Sequence, residues 1–165
     1  MKGKVMLLKL DNTKIPMKLV YSLSDELKEK PEQIALTQAL TLDSSRPNMG
    51  LKGTNGLFGS DEWWDSIAQK KMLLLSVSGV ITRTYVAGQD PSLLDNSFSL
   101  LLDDGSTCEE SIYSYIKEED KKLFRIGSKV EIIYARDELK RRMTSGEAAY
   151  LNIVLEMAVS LKPVE

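Results

Sequence analysis

"MLLLSVSGVITRTYVAG", residues 72–88, is the stretch on which the fold turns. Four apolar residues lead into alternating serine and valine. Val80, Ile81, Thr82 and Thr84 are β-branched, and Tyr85 is aromatic. Such side chains fit a pleated, half-buried surface and lose χ1 freedom in a helix. One long strand is expected. Gly79 inside it marks a bulge or a sharp bend, because a strand glycine gives up packing for a special backbone path.

Working outward, the segments that follow also read as strands. "NSFSLLLDDGSTCEESIYSYI" (96–116) is a hairpin with "DDGS" at its tip, and Asp104-Gly105 is a strong turn signal. "EEDKKLFRIGSKVEIIYARDEL" (118–139) holds a short helix or turn, then "IGS" as punctuation, then a strand. "RRMTSGEAAY" (141–150) reads as a connection. "YLNIVLEMAVSLK" (150–162) puts Ile153, Leu155, Met157, Val159 and Leu161 on one parity, which predicts a half-buried final strand.

Upstream, "KVMLLKL" (4–10) and "IPMKLVYSL" (15–23) flank the turn former "DNT", so a hairpin is expected, with Pro16 suggesting an edge strand. "SDELKEK" (24–30) has Ser24 as an N-cap candidate. In "EQIALTQALTL" (32–42), Ile34, Leu36, Leu40 and Leu42 share one parity. That alternation favours a strand, while the Ala, Gln and Leu content keeps a helix as the second reading. "DSSRPNMGLKGTNGLFG" (43–59) is a loop, and "SDEWWDSIAQ" (60–69) is one or two helical turns capped by Ser60.

From about residue 71 the order is thus a long bent strand, a hairpin, a short helical element, a strand and a final strand. With "SVSGVITRTYV" (76–86) as the bent first strand and "RIGSKVEIIYA" (125–135) as the fourth, this order resembles an oligonucleotide/oligosaccharide-binding (OB) barrel over residues 71–165. The resemblance implies a mainly β fold, α+β at the N-terminus: a five-stranded OB-like or similar small barrel. Residues 1–60 would be a hairpin-and-helix extension packed on a barrel domain of residues 61–165, forming one compact unit.

Composition narrows the chemistry. The chain has no histidine and one cysteine, Cys108. Ser-His-Asp and Cys-His nucleophilic sites are excluded, as are the usual zinc sites and any intrachain disulfide. Neither a long apolar run nor a charged-then-apolar leader is found, so a soluble, cytoplasmic protein without a membrane partner is expected. No cofactor motif is found, and no metal, cofactor or catalytic residue is assigned. Asp103-Asp104 and Glu109-Glu110 match no calcium loop and read as solubilising charges at a hairpin tip.

The charge is uneven although the whole chain carries only -2. Residues 89–120 hold nine acids against Lys117. Residues 121–142 hold eight bases against three acids. The two segments can neutralise each other or form separate patches that attract a partner.

Gly50, Gly53, Gly56 and Gly59 recur every third residue. No lysine follows as a phosphate loop requires, and Asp61, Glu62 and Asp65 would repel a phosphate from the helix start, so the ladder is read as a turning device. Trp63 and Trp64 lie about 100° apart on a helix, so one points inward and the other stays partly exposed. A non-catalytic module that recognises another protein is the favoured function. Its partner-binding candidates are Trp63, Trp64, Phe58, Arg125, Lys129, Arg136 and Tyr134. Single-stranded nucleic acid on an OB-like face, with Tyr85, Tyr113 or Tyr115 stacking on bases, is the alternative; the isoelectric point near 5.4 argues against it. A carboxylate-based enzyme acting on a sugar is the third reading, and a homo-oligomer stays open.

Overall fold

The computed structural model describes residues 7–10, 14–88 and 94–164. Among the described residues six strands and four helices follow one another: β1 (Met17–Ser22), α1 (Leu23–Glu29), α2 (Pro31–Leu42), α3 (Asp61–Ala68), β2 (Leu73–Tyr85), β3 (Ser97–Leu102), β4 (Thr107–Ser111), α4 (Glu118–Lys121), β5 (Lys129–Arg142) and β6 (Ala148–Ser160). The strands form one sheet in the order β1-β6-β5-β2-β3-β4. The fold is mainly β, as expected, but the sheet has six strands rather than five. The sixth is the second run of the expected N-terminal hairpin, which pairs with β6. The "DNT" turn lies outside the described residues. The order is linear, with β1 and β4 at its ends, so hydrogen bonding does not close this sheet into a barrel among the described residues.

The chain divides into two compact units. The first contains Leu23–Leu75 and Tyr134–Leu155. The second contains the described residues up to Ser22, Ser76–Ile133 and the segment from Glu156 onward.

In the second unit, β1 runs antiparallel to β6 from Met17↔Ser160 to Ser22↔Glu156. The β3–β4 hairpin turns at the expected tip: Gly105 has φ +86°, and Asp104 accepts from the amide and hydroxyl of Ser106. Gly79 does not mark the irregularity of β2. The register shifts between Ile81 and Arg83. Gly79 instead permits a close approach, because a Cβ there would stand 2.7 Å from the Leu101 carbonyl oxygen of β3. The core of this unit gathers Ile81, Phe98, Leu100, Phe124, Val130, Ile132 and Met157. The alternation expected for β6 fails over its second half, where Val154 to Ser160 are all buried. β6 lies inside the sheet, and its polar member Glu156, 3% exposed, accepts from the amides of Leu7 and Leu8 at 2.8–3.0 Å. Burial of that carboxylate is tolerated because it is hydrogen-bonded.

In the first unit, residues 32–42 are helical, which corrects the strand reading. Pro31 stands at the first positions of α2, where its missing N–H costs nothing and its fixed φ suits a helix. None of the residues of α2 is buried, so the parity of its leucines reports no sheet face. Ser24 lies inside α1, which starts at Leu23, and is not its cap. Among the described residues no helix is long and apolar enough to cross a membrane.

Candidate functional site: the tryptophan loop and its grooves

The first unit presents a loop, a short helix and a strand end that act together. The loop begins with a β-bridge to β5. Leu51 bridges Leu139, the Lys52 amide donates to the Glu138 carbonyl at 2.9 Å, and the Lys140 amide donates to the Gly50 carbonyl at 3.0 Å. It then turns through its glycines, all four with φ between +76° and +99°. Gly56 shows why no other residue serves. Its φ is +99°, and a Cβ would stand 3.0 Å from the Trp63 amide nitrogen. The ladder is thus a turning device, as read from the sequence. It also lies against α2: the Gln38 amide donates to the Phe58 carbonyl at 3.0 Å, and Gly59 packs under Ile34.

Ser60 caps α3 as expected, its hydroxyl accepting from the Trp63 amide at 3.2 Å. Asp61 and Glu62 fill the first turn, where the positive end of the helix dipole favours them. Trp63 is fully buried, with its ring 4.9 Å from Phe58 and 4.9 Å from Trp64. Burying an indole of this size contributes about 4–6 kcal/mol of gross hydrophobic stabilisation. Trp64 is half-buried and meets Trp63 edge to face. The two tryptophans divide as helical geometry requires.

The indole N–H of Trp63 donates to Asp137 Oδ2 at 3.0 Å. Asp137, on β5, is 1% exposed. Its other oxygen accepts from the Glu138 amide at 3.0 Å and from the Asn55 side chain at 3.5 Å. Beside it, Glu138 accepts from Thr54 at 3.0 Å and from Lys52 at 3.3 Å. The Thr54 hydroxyl, then the Lys52 ammonium, holds the Glu138 carboxyl below its ordinary value. Lys140 closes the arrangement. Its ammonium donates to the carbonyls of Leu40 (2.6 Å), Asp43 (3.2 Å) and Arg46 (3.2 Å), a cation at the C-terminal end of α2. Three successive polar positions of β5, Asp137, Glu138 and Lys140, therefore hold α2, the glycine loop and α3.

Two polar grooves open on this unit. One, of about 370 Å³, is lined by Thr54, Asn55, Glu62, Asp65, Ser66, Gln69 and Lys71. The other, of about 390 Å³, shares Thr54, Asn55 and Lys71 and adds Met72, Leu73, Arg136, Glu138 and Tyr150. The Arg136 guanidinium lies 4.7 Å over the Tyr150 ring, and both residues are exposed.

The sequence candidates fall into three places. Phe58, Trp63 and Tyr134 are buried. Trp64 and Arg136 reach the surface of the first unit. Arg125 and Lys129 belong to the second unit. Arg125 is exposed, and Lys129 faces Glu131 of its own strand at 3.7 Å. The tyrosines considered for base stacking are engaged within the second unit: Tyr113 stacks on Tyr21 at 4.8 Å, and Arg83 covers Tyr85 at 4.1 Å. Sequence reasoning missed Asp137, Lys140 and Tyr150. A buried tryptophan N–H needs an acceptor, which was the available signal for an acid such as Asp137. No pattern singled out Tyr150.

A family model described as Immunity protein RhsI2 matches residues 17–160, well over half of the chain. The chain belongs to that family, and with it comes a function of binding another protein rather than catalysis. A comparison with curated proteins returns no match.

Proposed function

We propose that this chain neutralises a protein toxin by binding it, and that the tryptophan loop of the first unit is the recognising surface. The observation that carries the reading is the family match over residues 17–160. The geometry supports the choice of surface. The loop is pinned from beneath by Trp63 and Asp137, and such anchoring cuts the entropy lost on association. Above the anchor stand an exposed arginine–tyrosine pair and half-buried Trp64, the residue types that dominate protein interfaces. The cytoplasm is the proposed compartment, where the chain's one thiol, Cys108, would stay reduced. An OB-like arrangement of β2–β6 is a companion proposal at the level of fold; its support is their chain order, with α4 between β4 and β5.

The test is capture of the partner. Tagged chain purified from its native source should bring down one toxin-domain protein and migrate with it as a stable complex in size-exclusion chromatography. The complex should suppress the toxin's activity in stoichiometric amounts. A strictly monomeric chain that protects no cell and retains no partner would sink the proposal.

A further inference from the structure

The groove of about 390 Å³ has a composition that selects its occupant. Its apolar floor comes from Met72, Leu73 and Tyr150, with Leu73 55% and Tyr150 46% exposed. Its one carboxylate, Glu138, is already engaged by Lys52 and Thr54. Its two cations are not so engaged: among the described residues neither Lys71 nor Arg136 makes an ion pair. Lys71 also lines the adjoining groove, whose lining includes Glu62 and Asp65. Arg136 lines only the second groove, its guanidinium 4.7 Å over the Tyr150 ring. A guanidinium without an ion pair presents the planar fork of donors that a carboxylate meets in bidentate fashion.

We propose that this groove takes an acidic segment of the partner protein, in which an aspartate or glutamate pairs with Arg136 while an adjacent apolar side chain lies on Leu73 and Tyr150. The inference rests on the binding function proposed above and specifies the chemistry of the partner. Charge complementarity decides the sign, and the apolar floor excludes a purely electrostatic ligand. A basic segment would meet two unneutralised cations in the same groove, and like charge set face to face costs affinity.

A random linear peptide library selected on the full chain tests this directly. Enriched peptides should carry Asp or Glu within a few positions of Leu, Met, Phe or Tyr. Arg136→Glu should lower retention of that set about tenfold or more, a change of about 1.4 kcal/mol or more. Leu73→Ala should weaken the same set, and Lys122→Glu, elsewhere in the basic segment, should leave it intact. Should Arg136→Glu disturb folding by circular dichroism, Arg136→Gln keeps the length and removes the charge. Basic enrichment, no enrichment, or an acidic set indifferent to Arg136 overturns the inference. Failure here is separable from failure of the proposed function. If no partner is captured at all, the function falls; if a captured toxin binds wild type and Arg136→Glu alike, only the groove chemistry falls.

Discussion

Replacing Asp137 by asparagine changes one atom in a site that needs two acceptors. Asp137 is 1% exposed and Trp63 is fully buried, so water cannot substitute at either. The carboxylate serves two N–H donors at 3.0 Å, the Trp63 indole on one oxygen and the Glu138 amide on the other. An asparagine offers one carbonyl oxygen and one NH₂, so one donor is left facing another donor. A buried hydrogen bond to a charged group contributes about 1.5–3 kcal/mol, and an unmet buried donor costs about 1–3 kcal/mol. Asp137→Asn should therefore destabilise by about 2–3 kcal/mol. Against a typical stability of about 5–15 kcal/mol that is a large share. Asp137→Ala strands both donors and opens a void, and should cost about 3–5 kcal/mol. The assay is urea unfolding followed by far-ultraviolet circular dichroism, with the m-value compared between variants. A double-mutant cycle with Trp63→Phe isolates the pair, and a coupling of about 1–2 kcal/mol is expected. An Asp137→Asn protein within about 0.5 kcal/mol of wild type, or a coupling indistinguishable from zero, would refute the idea that this bond pins the loop.

Four further outcomes follow from the geometry. Gly56→Ala forces a Cβ at φ +99° against the Trp63 amide and should cost about 1–3 kcal/mol, read as a fall of several degrees in Tm. Lys140→Met removes the bonds to Leu40 and to the cap residue Asp43 at the end of α2, and to Arg46 beyond it, and should speed amide hydrogen exchange in α2 far more than in β6. Glu156→Gln removes one of the two carboxylate oxygens that hold the Leu7 and Leu8 amides and should expose residues 7–10 to limited proteolysis. Glu138 has a folded pKa below its ordinary 4.5, so the unfolded chain binds the extra proton first. Its stabilising contribution is complete above about pH 4.5 and is lost as pH falls through the lower folded value; tryptophan fluorescence should report loop loosening there, and Glu138→Gln should flatten the transition.

What could be read from sequence and what could not divide along physical lines. Strong local signals worked. Ser60 before Asp61 and Glu62 marked the start of α3, Asp104-Gly105 marked the hairpin, and residues 73–85 are a strand. Parity failed wherever its premise failed. In residues 32–42 the alternation of leucines had no sheet face to report, since α2 buries none of its residues and is fixed by Lys140 and Gln38. In β6 the alternation vanished because the second half is buried on both parities, with Glu156 made tolerable by two amides distant in sequence. Along β5 the buried positions Val130, Ile132 and Tyr134 give way to Ala135 and Asp137, so the inward parity changes beside Tyr134. Counting from Val130 would place Asp137 outward, which hid it as one more charge in a basic segment.

That change of parity links the fold to the proposed function. Had burial stayed on the parity of Val130 and Ile132, Arg136 would be buried and Asp137 exposed. A buried guanidinium there would need a partner, and the Trp63 N–H would have none. With the change, Asp137 is buried beneath the glycine loop while its neighbour Arg136 emerges to lie over Tyr150. The residue that anchors the loop and the residue proposed to recognise the partner are thus adjacent on one strand, with Glu138 next in line to secure Lys52 and Thr54. Recognition can then be selective without chemistry. Asp137, Glu138 and Lys140 are committed to the loop and the end of α2, and Arg136, without an ion pair among the described residues, is the side chain left for the recognition proposed above.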